Sequence, residues 1–387
     1  MAIFHFYHFF LYFLTFLLTR INFNISKHCT NFQPWKFPVL ESCAKFSLTC
    51  FLDCPSDIYM IYFDLQIQLL QLSPYIQEVF MDFLFFLEGI RTPLLDAFFL
   101  LCTNFGESLL LILVLCTLYW CVDKKLARRA SAAFFVSAVP LQTFKVFFRI
   151  ERPWIIETDF RPVQKALSHA TGYSFPSGHS QSAAAVWGSF AANSRNKRLS
   201  ISFIIFIILT VFSRMYLGCH TPKDVIVGTL LGLFGVIVIQ FTLNFFKGRP
   251  HLHRERFALV TAFAFCILSL LCCFYTISLV NSNVISYDNA KDSLTLGGSA
   301  IGFALGSLFE QRYIKFSPAS SLHEKVMRFS VGAILLLMLK ILLGLVSKDY
   351  MLLRIAEYAI LLFFIAAGYP FLFTKTRLKH IFCKNNQ

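Results

Sequence analysis

Charge is what this chain has little of. Only 14% of its 387 residues are Asp, Glu, Lys or Arg, against about 25% in a typical soluble domain, while 57% are hydrophobic. A soluble fold has too little interior to hide that much apolar side chain, so that class is excluded and a polytopic membrane protein is expected. Acidic residues are scarcest: 21, against 35 Lys and Arg, for a formal net charge of +14. In a soluble protein this excess would suggest a nucleic-acid partner. Here the cations lie mainly in short loops between apolar runs, where membrane orientation accounts for them, and no nucleic acid is expected. A signal peptide's basic leader and small-residue cleavage site are also missing, so residues 2–19 read as an uncleaved membrane helix. Among the 12 cysteines, Cys116, Cys266, Cys272 and Cys273 lie in apolar runs and read as small hydrophobes. Cys29, Cys43, Cys50 and Cys54 are grouped in a polar segment beside His28, without a Cys-x-x-Cys pair. No role, or a disulfide, suits them better than a metal site.

Residues 20–80 have no clean period, and 1–80 read as an extension, with Met60 and Met81 as alternative starts. The stretch 81–104 carries Glu88, Arg91, Pro93 and Asp96 among apolar residues. It is too polar for a span and suits an interfacial helix or a helix–turn–helix on the membrane surface. Helices are expected near 107–122, 130–148, 180–194, 199–216, 224–246, 257–280, 295–311, 329–346 and 354–373. The fold class is therefore all-α, a polytopic membrane bundle of about nine transmembrane helices, with a core over 81–250 and additional helices and a basic tail over 251–387. Every second connection is basic: Lys124, Lys125, Arg128 and Arg129; Arg195, Lys197 and Arg198; Lys247, Arg249, Arg254 and Arg256; Arg312, Lys315, Lys325 and Arg328; and the tail with Lys375, Arg377, Lys379 and Lys384. The positive-inside rule puts these loops and the C-terminus in the cytoplasm.

Of the alternate connections, 281–294 and 347–353 carry few cations, and the other two hold three polar clusters, which this alternation places together on the non-cytoplasmic side. The first runs Lys145-Val-Phe-Phe-Arg149-Ile-Glu151-Arg152-Pro153. Lys145 and Arg152 are two helical turns apart and share a face if the helix continues to Pro153. The second is Pro176-Ser177-Gly178-His179, ahead of a run of small residues that reads as a helix start. Gly178 lets backbone approach a ligand closely, and free N–H groups at a helix start favour an anion. The third holds Ser213, Arg214, His220 and Asp224. Each cation alone reads equally as an interfacial, snorkelling residue. As a set, Lys145, Arg152 and Arg214 can surround the three oxygens of a phosphoryl group, with Ser177 donating a further bond. His220 and Asp224, at i and i+4, share a face on a helical turn. An Asp accepting from one ring nitrogen leaves the other as a nucleophile. His179 suits protonation of a leaving oxygen.

Lys-x6-Arg-Pro, Pro-Ser-Gly-His and Ser-Arg-x5-His-x3-Asp, in this order, resemble the three signature motifs of the type 2 phosphatidic acid phosphatase (PAP2) superfamily, which also includes glucose-6-phosphatase and the vanadium haloperoxidases. The resemblance covers roughly 81–246. The stretches Gly172-Tyr-Ser-Phe-Pro-Ser-Gly-His and Trp120-Cys-Val-Asp-Lys-Lys look most like the bacterial membrane members. The resemblance implies a metal-independent phosphohydrolase without a cofactor, acting in the membrane on a lipid phosphate or pyrophosphate. By it, His220 attacks phosphorus, Asp224 orients it, and His179 protonates the leaving group and then activates water. Lys145, Arg152, Ser177, Gly178 and Arg214 hold the phosphate, and Glu151 and Arg149 have no role. A vanadate peroxidase is disfavoured by the many spans, and a non-catalytic lipid-phosphate binder or transporter by the two intact histidines. A phosphotransferase using the same intermediate remains an alternative.

Overall fold

Several helix starts among the described residues coincide with side chains that cap them. The computed structural model describes residues 78–319, 321–347 and 350–375; the helix expected at 2–19, the Cys29 to Cys54 group and most of the basic tail lie outside them. A first helix, α1, spans 78–89. The Thr92 hydroxyl accepts from the Leu95 N–H and starts α2, Pro93–Thr103, with Pro93 in its first turn, where a missing N–H costs nothing. A helix, a turn and a second helix thus occupy the stretch expected to hold a surface helix–turn–helix, although the second of them is apolar enough to form one broken span with the helix that follows. α2 runs on through the tight turn Asn104–Gly106 and bends by 49° into α3, Ser108–Thr117, which extends to Val122. Asp123 caps α4, Lys124–Phe148, through the N–H groups of Lys125 and Leu126. Then follow α5 Gly178–Asn193, α6 Lys197–Tyr216, α7 Pro222–Phe245, α8 His251–Asn281, α9 Tyr287–Phe309, α10 Leu322–Ser347 and α11 Met351–Phe363, which continues to Lys375. No strand occurs among the described residues.

All nine expected helices are present, and fewer of them meet the length and composition of a membrane span. Among the described residues six are long and apolar enough to cross a membrane, or seven if α2 and α3 form one broken span. α5 has 16 residues, about 24 Å at 1.5 Å per residue, short of a ~30 Å hydrocarbon core. α9 is long enough, but its first turns carry Asp288, Lys291 and Asp292. It also starts eight residues before the expected 295: the Ser286 hydroxyl caps Asn289 N–H, and acidic residues are favourable at a helix start.

α5, opened by Pro-Ser-Gly-His, is the axis of the first half. Every residue from Ser180 to Phe190 is buried. In lipid, helices associate through close packing rather than hydrophobicity, and α5 and α7 meet through small residues. A Cβ on Gly228 or Gly232 would collide with the carbonyls of Ser177 and Gln181, and one on Gly235 with the carbonyl of Ala133 in α4. Gln181, wholly buried, donates to Ser137 Oγ at 2.6 Å and to the Phe134 carbonyl at 3.2 Å. In the second half, Gly298 and Gly302, one turn apart on α9, lie against the backbone of Ile355 and Ala359 in α11. Charge joins the halves: Glu310, fully buried after α9, takes Lys124 at 2.7 Å and Arg128 at 3.6 Å, both on α4. Trp120 Nε1 donates to the Ile365 carbonyl at 3.0 Å and Tyr119 Oη to that of Ala366 at 2.8 Å. The stretch Trp120 to Lys125 therefore serves as a joint. Cys116, Cys266, Cys272 and Cys273 are buried free thiols, as small hydrophobes would be.

Candidate active site

Lys145 and Arg152 reach the site by different routes. α4 ends at Phe148 because Arg149 turns left-handed (φ 52°), so the helix does not continue to Pro153 and the two cations do not share a helical face. Lys145, on the last turn, donates to the Tyr173 carbonyl at 3.0 Å. Arg152, in extended backbone, donates to the carbonyls of Thr171 (2.6 Å), Gly172 (3.1 Å) and Cys219 (3.0 Å) and touches His220 Nε2 at 3.0 Å. It thereby ties the loop before α5 to the loop before α7. The Ser177 N–H completes the tie by donating to the Asp224 carbonyl at 2.9 Å.

The Arg152 contact fixes the tautomer of His220. A guanidinium has no acceptor, so Nε2 carries the lone pair and Nδ1 the proton. On the Nδ1 side the expected direct bond to Asp224 is absent. Nδ1 and Oδ2 are 3.6 Å apart, too far for a hydrogen bond, because His220 precedes α7 rather than sharing a helical turn with Asp224. Ser174 stands between them: its hydroxyl donates to Asp224 Oδ2 at 2.6 Å and lies 3.4 Å from His220 Nδ1. Asp224 Oδ2 also accepts the Thr221 N–H at 2.9 Å, which makes the same carboxylate the capping group of α7. Burial, then Arg152, Arg214 and Lys145, push the His220 pKa well below its ordinary value, so the ring is neutral, with its Nε2 pair held by Arg152.

Arg214, completely buried on the last turn of α6, donates through Nη1 to Thr103 Oγ1 of α2 at 3.0 Å. Its Nε and Nη2 have no hydrogen-bond partner among the described residues, a costly arrangement for a buried cation unless an anion joins it. Ser177 caps α5, receiving the Ser180 hydroxyl at 3.0 Å. A Cβ on Gly178 would meet no atom within 4 Å, so the space before the helix start is open. His179 Nε2 lies 2.9 Å from Glu107 Oε2, at the start of α3. Burial foremost, then Arg214, lower the His179 pKa to about 4 against the opposing pull of Glu107.

All eight residues singled out in the sequence thus belong to one cluster, six of them buried and Gly178 and His179 half-buried. Ser174, Thr103 and Glu107 were missed. Ser174 lies inside the motif-like stretch Gly172 to His179. Glu107 carried a signal of its own, a lone acid at the junction of two apolar helices.

The family comparisons agree with this geometry. The PAP2 superfamily model matches residues 126–249, and a model described as the PAP2 superfamily phosphatase transmembrane extension matches 294–381. A probable sphingosine-1-phosphate phosphatase of Dictyostelium discoideum is 25% identical over 175 residues, 41% of each chain. Undecaprenyl-diphosphatase BcrC of Bacillus subtilis is 34% identical over 92 residues, 24% of this chain and 45% of that one. Lipid A 4'-phosphatase of Porphyromonas gingivalis is 30% identical over 171 residues, 41% of this chain and 70% of that one. The chain thus spans less than half the length of the first two and more than two thirds of the third. No solved structure matches it. With the three motifs gathered into one cluster and both family models matching in order, this chain belongs to the PAP2 superfamily.

Proposed function

We propose that the protein is an integral-membrane phosphohydrolase that removes phosphate from a lipid phosphate or pyrophosphate through a phosphohistidine on His220, without a metal or other cofactor. The observation that carries this reading is the pairing of a buried arginine with two unpartnered donors, Arg214, with a histidine whose Nε2 lone pair is exposed to a second arginine, Arg152. The phosphoryl group lies among Lys145, Arg152, Arg214, Ser177 and the Gly178 backbone, in line with Nε2. Arg152 turns from Nε2 to the phosphate oxygens, Nε2 forms the N–P bond as the P–O bond to the leaving group breaks, and His179 gives that oxygen its proton. Asp224, through Ser174, stabilises the charge that develops on the His220 ring. His179 then takes a proton from water, whose oxygen forms a new P–O bond as the N–P bond breaks, releasing inorganic phosphate. The relatives are named for three different lipids, which supports lipid phosphates as the substrate class. Phosphatidic acid, phosphatidylglycerophosphate and undecaprenyl pyrophosphate are the substrates to offer first. The loop charges support a site on the non-cytoplasmic face and a cytoplasmic C-terminus. They also support a catalytic core over 81–250 to which the helices after 250 are added.

The test is phosphate release by purified protein in detergent with EDTA, on these three lipids, for wild type and His220→Ala. Turnover of one lipid in EDTA, lost about 10³-fold or more in the variant, supports the reading. Binding without turnover in the wild type sinks it in favour of a lipid-phosphate binder. An acid-labile phosphohistidine whose phosphate passes to an added alcohol rather than to water would turn the assignment to phosphotransfer.

A further inference from the structure

Glu107 lies outside all three motifs, yet the fold presses it onto His179. The turn before it is docked on α5 and α6. Trp187 Nε1 donates to the Phe105 carbonyl at 2.7 Å, and the Phe105 ring stacks on Phe206 at 4.3 Å. Gly106 sits so close to His179 that a Cβ there would lie 2.6 Å from the His179 carbonyl oxygen. Glu107 occupies the cap position of α3, but its side chain makes no capping bond there; Oε2 is instead 2.9 Å from His179 Nε2.

We propose that Glu107 is the positioning residue of the acid–base histidine: it accepts from His179 Nε2–H, fixes that tautomer, and stabilises the imidazolium that the leaving-group step requires. This rests on the function proposed above. The need for it follows from the surroundings of His179. Arg214 from α6 and Lys145 from α4 oppose a positive ring, and His220 stands across the site. Asp224 on α7 is engaged with Thr221 and Ser174. Glu107 is the acid turned to His179, and bound phosphate adds its own negative charge. With Nε2–H held, Nδ1 is the nitrogen that exchanges protons. In the first step Nδ1–H passes its proton to the leaving oxygen as that oxygen takes the P–O electron pair. In the second, Nδ1 accepts a proton from the attacking water. Glu107 stays a carboxylate throughout. The site then contains two carboxylate-backed histidines, one relayed through Ser174 for attack and one direct for proton transfer.

A group acting through the acid is distinguished from a structural one by the leaving group. Glu107→Gln keeps the shape and removes the charge. In detergent with EDTA, its kcat/KM on phosphatidic acid, or on whichever lipid phosphate the wild type prefers, is expected to fall about 10²-fold, within the range of a lost general acid. Its kcat/KM on p-nitrophenyl phosphate, which reports phosphohistidine formation alone and whose leaving group needs no proton, should change less than about 3-fold. The alkaline limb of the kcat/KM profile on the lipid should move to lower pH, because the imidazolium has lost its counter-charge. Glu107→Asp should restore part of the rate and return the limb toward its original position. In a His179→Asn background Glu107→Gln should add little further loss. Equal losses on both substrates, or an unmoved limb, overturn the proposal. Should the wild type take the lipid but not the aryl phosphate, the limb alone decides. If Glu107→Gln does not fold, Glu107→Asp decides by the same limb. A wild type inactive on every substrate would instead overturn the proposed function.

Discussion

Replacing Ser174 by Ala asks whether the nucleophile is oriented through a hydroxyl. Ser174 Oγ donates to Asp224 Oδ2 at 2.6 Å and stands 3.4 Å from His220 Nδ1, while the ring and the carboxylate are 3.6 Å apart. A hydrogen bond to a charged group contributes about 1.5–3 kcal/mol net. If that contribution is expressed only as the imidazole gains charge, about 1.4 kcal/mol per decade converts it to a loss of roughly 10- to 150-fold in kcat. The lower part of that range is expected. The Thr221 N–H still holds Oδ2 at 2.9 Å, and the ring needs to move only a few tenths of an ångström to meet the carboxylate directly. KM should be nearly unchanged, because the cations that hold phosphate are bound to other groups. The assay is initial-rate phosphate release in EDTA, with kcat and KM separated, for Ser174→Ala, Asp224→Asn and the double variant. Asp224→Asn should lose about 10³- to 10⁴-fold, by analogy with the orienting acid of a catalytic triad. The double variant should lose little more than Asp224→Asn, since both act on one chain of bonds. A Ser174→Ala enzyme within about two-fold of wild type would refute the relay and leave Asp224 acting across 3.6 Å by charge alone.

Asp292 of α9 accepts from Thr171 Oγ1 at 2.7 Å, and the Thr171 carbonyl takes Arg152 at 2.6 Å. Asp292→Ala should lower kcat about 2- to 5-fold, as for a bond worth about 0.5–1 kcal/mol, without raising KM, since it also removes a negative charge that Lys145 and Arg152 feel. Glu310 is fully buried against Lys124 and Arg128, whose side chains are 18% and 26% exposed. Glu310→Ala should cost about 2–4 kcal/mol, below the full penalty for breaking a buried pair because water reaches both cations, and adding Lys124→Met should recover part of the lost thermal midpoint in detergent. Stability should also depend on acid in a fixed sense. His179 titrates at about 4 in the folded chain against 6.5 unfolded, and His220 is lowered too. Above about pH 6.5 both states hold these rings neutral and the contribution is complete. As pH falls from 6.5 toward 4 only the unfolded chain takes up the protons, so the midpoint should fall across that window, and His179→Asn should flatten the fall.

The parts of this site legible in the sequence are those whose chemistry few other side chains can supply. A phosphate calls for fixed cations and a nucleophilic histidine, so Lys145, Arg152, Arg214, His179, His220 and Asp224 stand out against apolar surroundings where charge is costly. Ser174 does not stand out, because a hydroxyl in a polar loop has many ordinary uses, and only the 3.6 Å gap between His220 and Asp224 reveals what it bridges. The helix order was legible from hydrophobic runs, but the helix ends were not. Arg149 halts α4 by a left-handed turn that most sequences assign to glycine or asparagine, and Ser286 starts α9 eight residues before the expected 295. The number of spans was not legible for a related reason. α5 is apolar because it is buried in the protein, not because it faces lipid, and hydrophobicity alone does not separate the two. Glu107 combines both difficulties. Its charge was visible, but His179 lies 72 residues away on α5, and the docking of Phe105 and the close approach of Gly106 to the His179 backbone bring the two together. A lone acid at the break between two apolar helices is therefore best read as a search for its cation or histidine, and in this chain that search ends at the proton donor of the site.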